Sequence, residues 1–292
     1  MSRGQANLSA RVRENWLALF GDQSSDDLAK LDRLPTQLNE YGFDPFGFQP
    51  EFAKLVVPLF ALIYRHYFRV KVYGIENLPA GRCLLIANHS GQIPLDGMMI
   101  GCSILLDADP PRFIRSMIER WIPSLPFVSV FFARLGQVVG TPENCERLLR
   151  RGEAILVFPE GSRGISKEFR RRYQLESFGL GFMRLALATE TPIVPIAVVG
   201  AEEQAPSMLN FEALAKLLNM PSFPVTPTFP LLGPLGLLPL PVRYHIHFGE
   251  PLQFEGDPND EEDEIGRKVE VVRSTIQRML HDGLSQRQGL FR

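Results

Sequence analysis

Cysteine is scarce in this chain of 292 residues, with three in all: Cys83, Cys102 and Cys145, scattered and odd in number. That pattern excludes a disulfide framework, fits a reducing compartment, and has no metal-ligand spacing. Neither sign of charge dominates: 31 Lys+Arg face 33 Asp+Glu, a net charge of −2, which exerts no global pull toward nucleic acid. Long apolar runs are missing as well. No segment offers the ~20 uninterrupted apolar residues of a membrane-spanning helix, and residues 1–5 lack the apolar centre of a signal peptide. The protein is therefore expected in the cytoplasm or on the cytoplasmic face of a membrane. There is no Gly-x-Ser-x-Gly elbow, no Gly-x-Gly-x-x-Gly after a strand and no Walker lysine, so nucleotide and dinucleotide binding are set aside. A metal requirement likewise finds no ligand cluster.

What is present describes a globular chain with a large core: 45% hydrophobic and 22% charged residues. Residues 1–50 read as an N-terminal helical extension, with helical spacing over 9–20 and 25–38 and a turn-rich connector at 41–47. Residues 51–71 form an amphipathic segment in which the apolar run 52–64 contains Pro58 and is followed by Arg65, His66, Arg69 and Lys71. It suits either an interfacial helix with basic residues at the headgroups or a helix packed on the core. From 72 to 256 strands and helices alternate. Strands are expected at 69–73, 83–87, 112–115, 154–158, 193–199 and 244–248, and helices at 95–106, 143–151 and 177–189. Alternation of this kind implies crossover units, hence a single α/β domain with a mixed, largely parallel sheet flanked by helices. Residues 257–292 are an acidic linker and a closing amphipathic helix over 265–280. The apolar stretch 223–242 is broken by repeated prolines, so it is a loop, packed on the core or dipping into lipid.

The chemistry concentrates at two strand ends. The run Leu84-Leu85-Ile86-Ala87-Asn88-His89 is followed by Ser90, Gly91 and Asp96; later, Ala154-Ile155-Leu156-Val157-Phe158 leads into Pro159-Glu160-Gly161-Ser162-Arg163. Ligands of α/β sheets sit outside the carboxyl ends of the strands. A neutral imidazole accepts a proton at cytoplasmic pH, and an Asp on its other nitrogen fixes the tautomer and stabilises the imidazolium. Gly161 allows a sharp turn and close approach, while main-chain N–H groups, the Ser162 hydroxyl and the Arg163 guanidinium can hold a phosphate or polar headgroup. Together these suggest transfer of a group onto a hydroxyl. Lys167, Arg170, Arg171 and Arg172 form a basic cluster suited to coenzyme A phosphates, an acidic carrier protein or anionic lipid, or else a solvated face.

Asn88-His89 with Asp96, Phe158-Pro159-Glu160-Gly161-Ser162-Arg163, and Ile193-Val194-Pro195-Ile196-Ala197-Val198-Val199-Gly200 occur in the order of a known family. From about residue 72 to 253 the chain resembles the glycerolipid (lysophospholipid-type) acyltransferase superfamily, nearest its bacterial branch with acylglycerol-acyltransferase-like motifs. The resemblance implies a His89–Asp96 general-base dyad, acceptor binding by Glu160, Gly161, Ser162 and Arg163, and a contribution of the 193–200 block to the donor or acyl pocket. It implies no cofactor. The donor would be acyl-CoA or an acyl carrier protein, the acceptor a glycerolipid, the partner a membrane surface contacted peripherally, and the process phospholipid or other glycerolipid metabolism.

Two departures stand out. Six residues separate His89 from Asp96 where the family usually has four, as in a sub-branch with a Ser-Gly-x-x-Pro insertion. The family's Gly-x-x-x-[Ile/Val]-[Asp/Asn]-Arg block corresponds to 135–144, which lacks the Arg; the loss favours a less charged acceptor such as an acylglycerol. An oxyanion would be met by the loop after His89, at Ser90 and Gly91. Hydrolysis of a thioester or lipid at the same dyad, and lipid binding without catalysis, are the competing readings. His66, His245, His247 and His281 read as structural or surface residues.

Overall fold

Five apolar residues in a row, all buried, make strand β2 (Cys83–Ala87) the centre of the molecule. In the computed structural model, residues 14, 22–89, 95–165, 167–206, 209–210, 224–226, 229 and 231–290 are described. Three strands besides β2 match the expected segments closely: β5 (Ala154–Val157), β6 (Ile193–Val199) and β9 (His245–Phe248). With β1 (Lys71–Tyr73), β3 (Ile114–Ile118) and β4 (Val138–Val139) they form a seven-stranded sheet of order β1-β9-β6-β2-β5-β3-β4. Neighbours are parallel except β6 and β9, so the sheet is mixed and mostly parallel. A separate two-stranded pair joins β7 (Leu209–Asn210) and β8 (Pro224–Val225).

Side chains alternate across a strand, so continuous apolar strands feed two cores. Leu85 and Ala87 face one core with Val194, Ile196 and Val198; Leu84 and Ile86 face the other with Ile193, Ala197 and Val199. Each of the Val, Leu and Ile side chains among them, fully buried, contributes roughly 1.5–3 kcal/mol. Helices α1 (Asp22–Asp32), α2 (Pro50–Leu62) and α3 (Leu95–Leu106) cover the first core, and α5 (Pro142–Arg150), α7 (Gly181–Thr189) and α8 (Glu262–Gln286) the second. Helix α8 lays Ile265, Val269, Val272, Ile276 and Leu280 on the sheet, a three-to-four-residue period. Two short helices, α4 (Val128–Arg134) and the single turn α6 (Ser162–Ile165), are also present among the described residues.

The N-terminal part is bolted to this frame. Arg65, in the π turn after α2, grips buried Asp27 of α1 with two bonds of 2.6 Å. In the 41–47 connector, Asp44 Oδ1 accepts the Phe46 and Phe48 N–H groups and Oδ2 takes Arg115 of β3. The helix expected at 9–20 lies outside the described residues apart from Glu14. Several boundaries differ from expectation. The strand expected at 112–115 runs from Ile114 to Ile118, because Arg112 leaves the ladder to donate to the Pro79 and Gly81 carbonyls while Arg115 is buried with Asp44 and Glu153 as partners. The helix expected from 177 starts at Gly181, the preceding residues being drawn out as an extended strap.

Candidate active site

The register Ile86↔Val157 places the residues after β2 beside those after β5. Asn88 extends β2 by one side chain: its Nδ2 donates to the Val198 carbonyl at 3.1 Å and its Oδ1 accepts the Val198 N–H at 2.8 Å. That double bond to β6 fixes where His89 leaves the sheet. Asp96 enters from the first turn of α3, fully buried, where helix N–H groups favour an anion. Its Oδ2 lies 2.8 Å from His89 Nδ1, and its Oδ1 accepts the Gly97 N–H at 2.8 Å. The six-residue spacing thus still brings the pair together. An ionised carboxylate only accepts, so the imidazole proton belongs on Nδ1 and Nε2 carries the lone pair. The ring lies against Phe158, with centroids 4.1 Å apart and planes at 20°.

Glu160 is buried next to this pair. Its carboxylate is 1% exposed. Oε1 accepts the His89 N–H at 2.9 Å, Oε2 accepts the Glu176 N–H at 2.8 Å, and Lys167 Nζ is 3.4 Å from Oε2. Both oxygens of this Glu, for which the resemblance implies acceptor binding, thus accept main-chain N–H groups in the structure, from His89 and from Glu176. Gly161 turns the chain at φ 58°. Gly164 is required by contact: a Cβ there would lie 2.9 Å from both His89 Cβ and His89 O. Arg163 is exposed and donates to the Ser177 carbonyl at 3.0 Å. Ser162 opens α6. Ser90 and Gly91 lie outside the described residues.

At the position of the family's missing Arg, the chain forms β4 and then the start of α5. Thr141 Oγ1 caps that helix by accepting the Asn144 N–H at 3.3 Å, and Asn144 Nδ2 donates to Val139 O at 3.1 Å. The expected basic cluster is dispersed. Arg170 pairs with Glu168 at 2.7 Å, Arg171 pairs with Glu176 at 2.6 Å, Arg172 stacks on Phe169, and Lys167 turns inward. His245 and His247 lie on β9, away from His89, with Tyr73 stacked on His247 at 4.6 Å. The three thiols are buried, and burial pushes Cys102 up to about 12 and Cys145 up to about 11, which leaves them unreactive. Among the described residues no three His, Cys, Asp or Glu are grouped as metal ligands would be. Gly164 and Glu176 complete the site without having been singled out in the sequence, where Asn88 and Phe158 were read only as parts of the motifs and Lys167 only as part of a basic cluster.

The arrangement defines a class: an α/β fold in which a His–carboxylate pair at one strand end adjoins a Glu-Gly-Ser-Arg turn at the next. The chain belongs to the Acyltransferase family, within the glycerolipid acyltransferase superfamily; the family model matches residues 69–199. It is similar to an uncharacterized protein of Mycobacterium leprae, 39% identical over 258 residues, which span 86% of this chain and 70% of that one. It is also similar to a chicken (Gallus gallus) protein named DGAT1/2-independent enzyme synthesizing storage lipids, 22% identical over 212 residues covering 70% of this chain and 58% of the relative. The crystal structure of the 1-acyl-sn-glycerophosphate (LPA) acyltransferase PlsC from Thermotoga maritima aligns over 98% of this chain and 99% of its own, with a TM-score of 0.51 and 15% identity, a likeness of fold.

Proposed function

We propose that the protein moves a fatty acyl group from an acyl thioester, carried by coenzyme A or an acyl carrier protein, to a hydroxyl of a glycerolipid. The observation that carries this reading is the 2.8 Å bond between His89 Nδ1 and Asp96. His89 Nε2 takes the hydroxyl proton as the oxygen attacks the thioester carbonyl, and Asp96 stabilises the imidazolium that forms. The tetrahedral intermediate collapses, the carbon–sulfur bond breaks, and the proton passes from His89 to the leaving thiolate. The segment holding Ser90 and Gly91 is the candidate source of N–H donors for the oxyanion. No covalent enzyme intermediate is needed.

The acceptor we favour is an acylglycerol. Support comes from the helix cap at Thr141, which occupies the place of a phosphate-binding Arg, and from the Ser177 carbonyl, which already engages Arg163. Binding at the cytoplasmic face of a membrane would be peripheral. Among the described residues no helix is long and apolar enough to cross one. Several large apolar side chains nonetheless face solvent, including Phe127 at 88%, Leu231 at 85% and Leu235 at 70% exposure, together with Leu55 and Leu59 of α2. The Tyr67 hydroxyl donates to Pro239 O, joining the proline-rich loop to the turn that follows α2. The test is acyl release from a long-chain acyl-CoA, and separately from an acyl carrier protein, in lipid micelles with acceptors supplied one at a time. Acceptor-dependent product supports transfer; release indifferent to acceptor identifies a thioesterase.

A further inference from the structure

Beneath the His89–Asp96 pair lies a buried group of charges that the acyl-transfer chemistry itself does not use. Its cation is Lys167, whose side chain is 3% exposed. Nζ has three acceptors in reach: the Gln174 carbonyl at 3.0 Å, Glu202 Oε1 at 3.2 Å and Glu160 Oε2 at 3.4 Å. Two of the ammonium's three donors are taken by Gln174 and Glu202, and Glu160 lies at ion-pair distance. We infer that Lys167 is a positioning residue for His89: its ammonium, held by both Glu160 and Glu202, fixes the Glu160 carboxylate, and Glu160 in turn holds the His89 peptide where the pair with Asp96 forms. The inference rests on the acyltransferase reading of the same site.

The partners of Glu160 suit the charge. Both oxygens accept main-chain N–H groups, from His89 and from Glu176. A carboxylate, which only accepts, suits both of those places. Yet a second carboxylate, Glu202, is 6% exposed on the other side of the Lys167 ammonium. It stands on the turn Ala201–Glu203 after β6. Two carboxylates in one buried site do not both stay ionised without a cation between them. Burial pushes Glu202 up to about 7, against the pull of Lys167 and with the push of Glu160. The other charges around the group are engaged elsewhere. Glu203 pairs with Arg287 at 2.8 Å and accepts the Tyr173 hydroxyl, while Arg273 of α8, which feels Glu160, pairs with Glu270 at 2.7 Å. Lys167 is therefore the group that balances Glu160 and Glu202, and through Glu160 it is one hydrogen bond from the main chain of His89.

The test uses the full chain with Lys167→Met, Lys167→Arg and the double variant Lys167→Met/Glu202→Gln. Two readouts are taken: kcat and KM for acyl transfer, and the Nδ1 proton resonance of His89, assigned by its loss in His89→Gln. Lys167→Met is expected to lower kcat roughly 10²-fold, the scale of a displaced catalytic group, with KM little changed and the resonance broadened or lost. Removing the second carboxylate in the double variant restores the resonance and part of kcat, and Lys167→Arg retains both in large part. A folded Lys167→Met with an intact resonance and wild-type kcat overturns the inference, even if its melting temperature drops. If Lys167→Met does not fold, the double variant decides, and a folded double variant without the resonance also overturns it. Wild-type protein that shows the resonance but no transfer sinks the acyltransferase reading and leaves the positioning test standing.

Discussion

Glu160 Oε1 accepts the His89 N–H at 2.9 Å, a bond between residues that follow two adjacent parallel strands. The two motifs are thereby one mechanical unit. The turn after β5 determines the backbone from which the imidazole of His89 projects, and α3 supplies the carboxylate that orients it. Glu160→Gln keeps the shape but puts a two-donor amide where two donors already point. We expect kcat to fall roughly 10²-fold from misplacement of His89, and stability to drop by about 1–3 kcal/mol from the unsatisfied groups. Steady-state kinetics and urea unfolding of the same preparation check both.

Gly164→Ala tests the packing of α6 against His89. The new Cβ would stand 2.9 Å from the His89 carbonyl oxygen and 3.0 Å from Glu160 Cβ, and a backbone atom cannot swing aside. Overpacking of this kind costs about 1–3 kcal/mol. Activity is expected to fall further than that stability loss accounts for, because the displaced residue is His89. Wild-type kcat in a folded Gly164→Ala would show that the contact is slack.

Much of this fold was legible in the chain, for a physical reason. The strands Cys83–Ala87 and Ile193–Val199 and the helix Leu95–Leu106 fall where the sequence places them, because continuous apolar residues with clear flanks leave no competing register. Strand β3 was displaced because its polar Arg115 and Ser116 break the pattern, and the partners that make Arg115 tolerable, Asp44 and Glu153, are distant in sequence. The late start of α7 has the same origin: Glu160 captures the Glu176 N–H and holds the strap extended. Lys167 reads as one of four basic neighbours, and local composition does not reveal that it alone turns into the protein. His89 and Asp96 were visible as a pair because their motif is local, whereas the inward role of Glu160 depends on three segments meeting.

Acid should weaken the β1–β9 side of the sheet. His245 is lowered to about 4, first by burial and then by Arg287, His247, Lys71 and Arg243, so the folded state binds its proton later than the unfolded chain near 6.5. Stability carried by neutral His245 is complete above about 6.5 and is lost as pH falls from there toward 4. Solvent screening limits the effect to about 1–2 kcal/mol. His245→Asn should flatten the slope of unfolding free energy in that window; an unchanged slope would assign the acid sensitivity to other groups.

Exposed leucines in the proline-rich loop should matter for lipid and not for folding. Leu231→Ser and Leu235→Ser remove side chains that face solvent. Each is expected to weaken binding to anionic vesicles by roughly tenfold, the worth of one buried leucine, with the unfolding midpoint unchanged. Vesicle co-sedimentation reads the result, and undiminished binding in the double variant would move the membrane contact elsewhere on the surface.

The central claim is that His89, oriented by Asp96, deprotonates a glycerolipid hydroxyl. Its most direct test is product formation from a long-chain acyl-CoA or acyl carrier protein with an acylglycerol acceptor, comparing wild type, His89→Ala and Asp96→Asn. Acceptor-dependent product should fall by about 10²–10⁴-fold in both variants, with the acylglycerol preferred over lysophosphatidate. Folded His89→Ala that forms product at the wild-type rate would contradict the account.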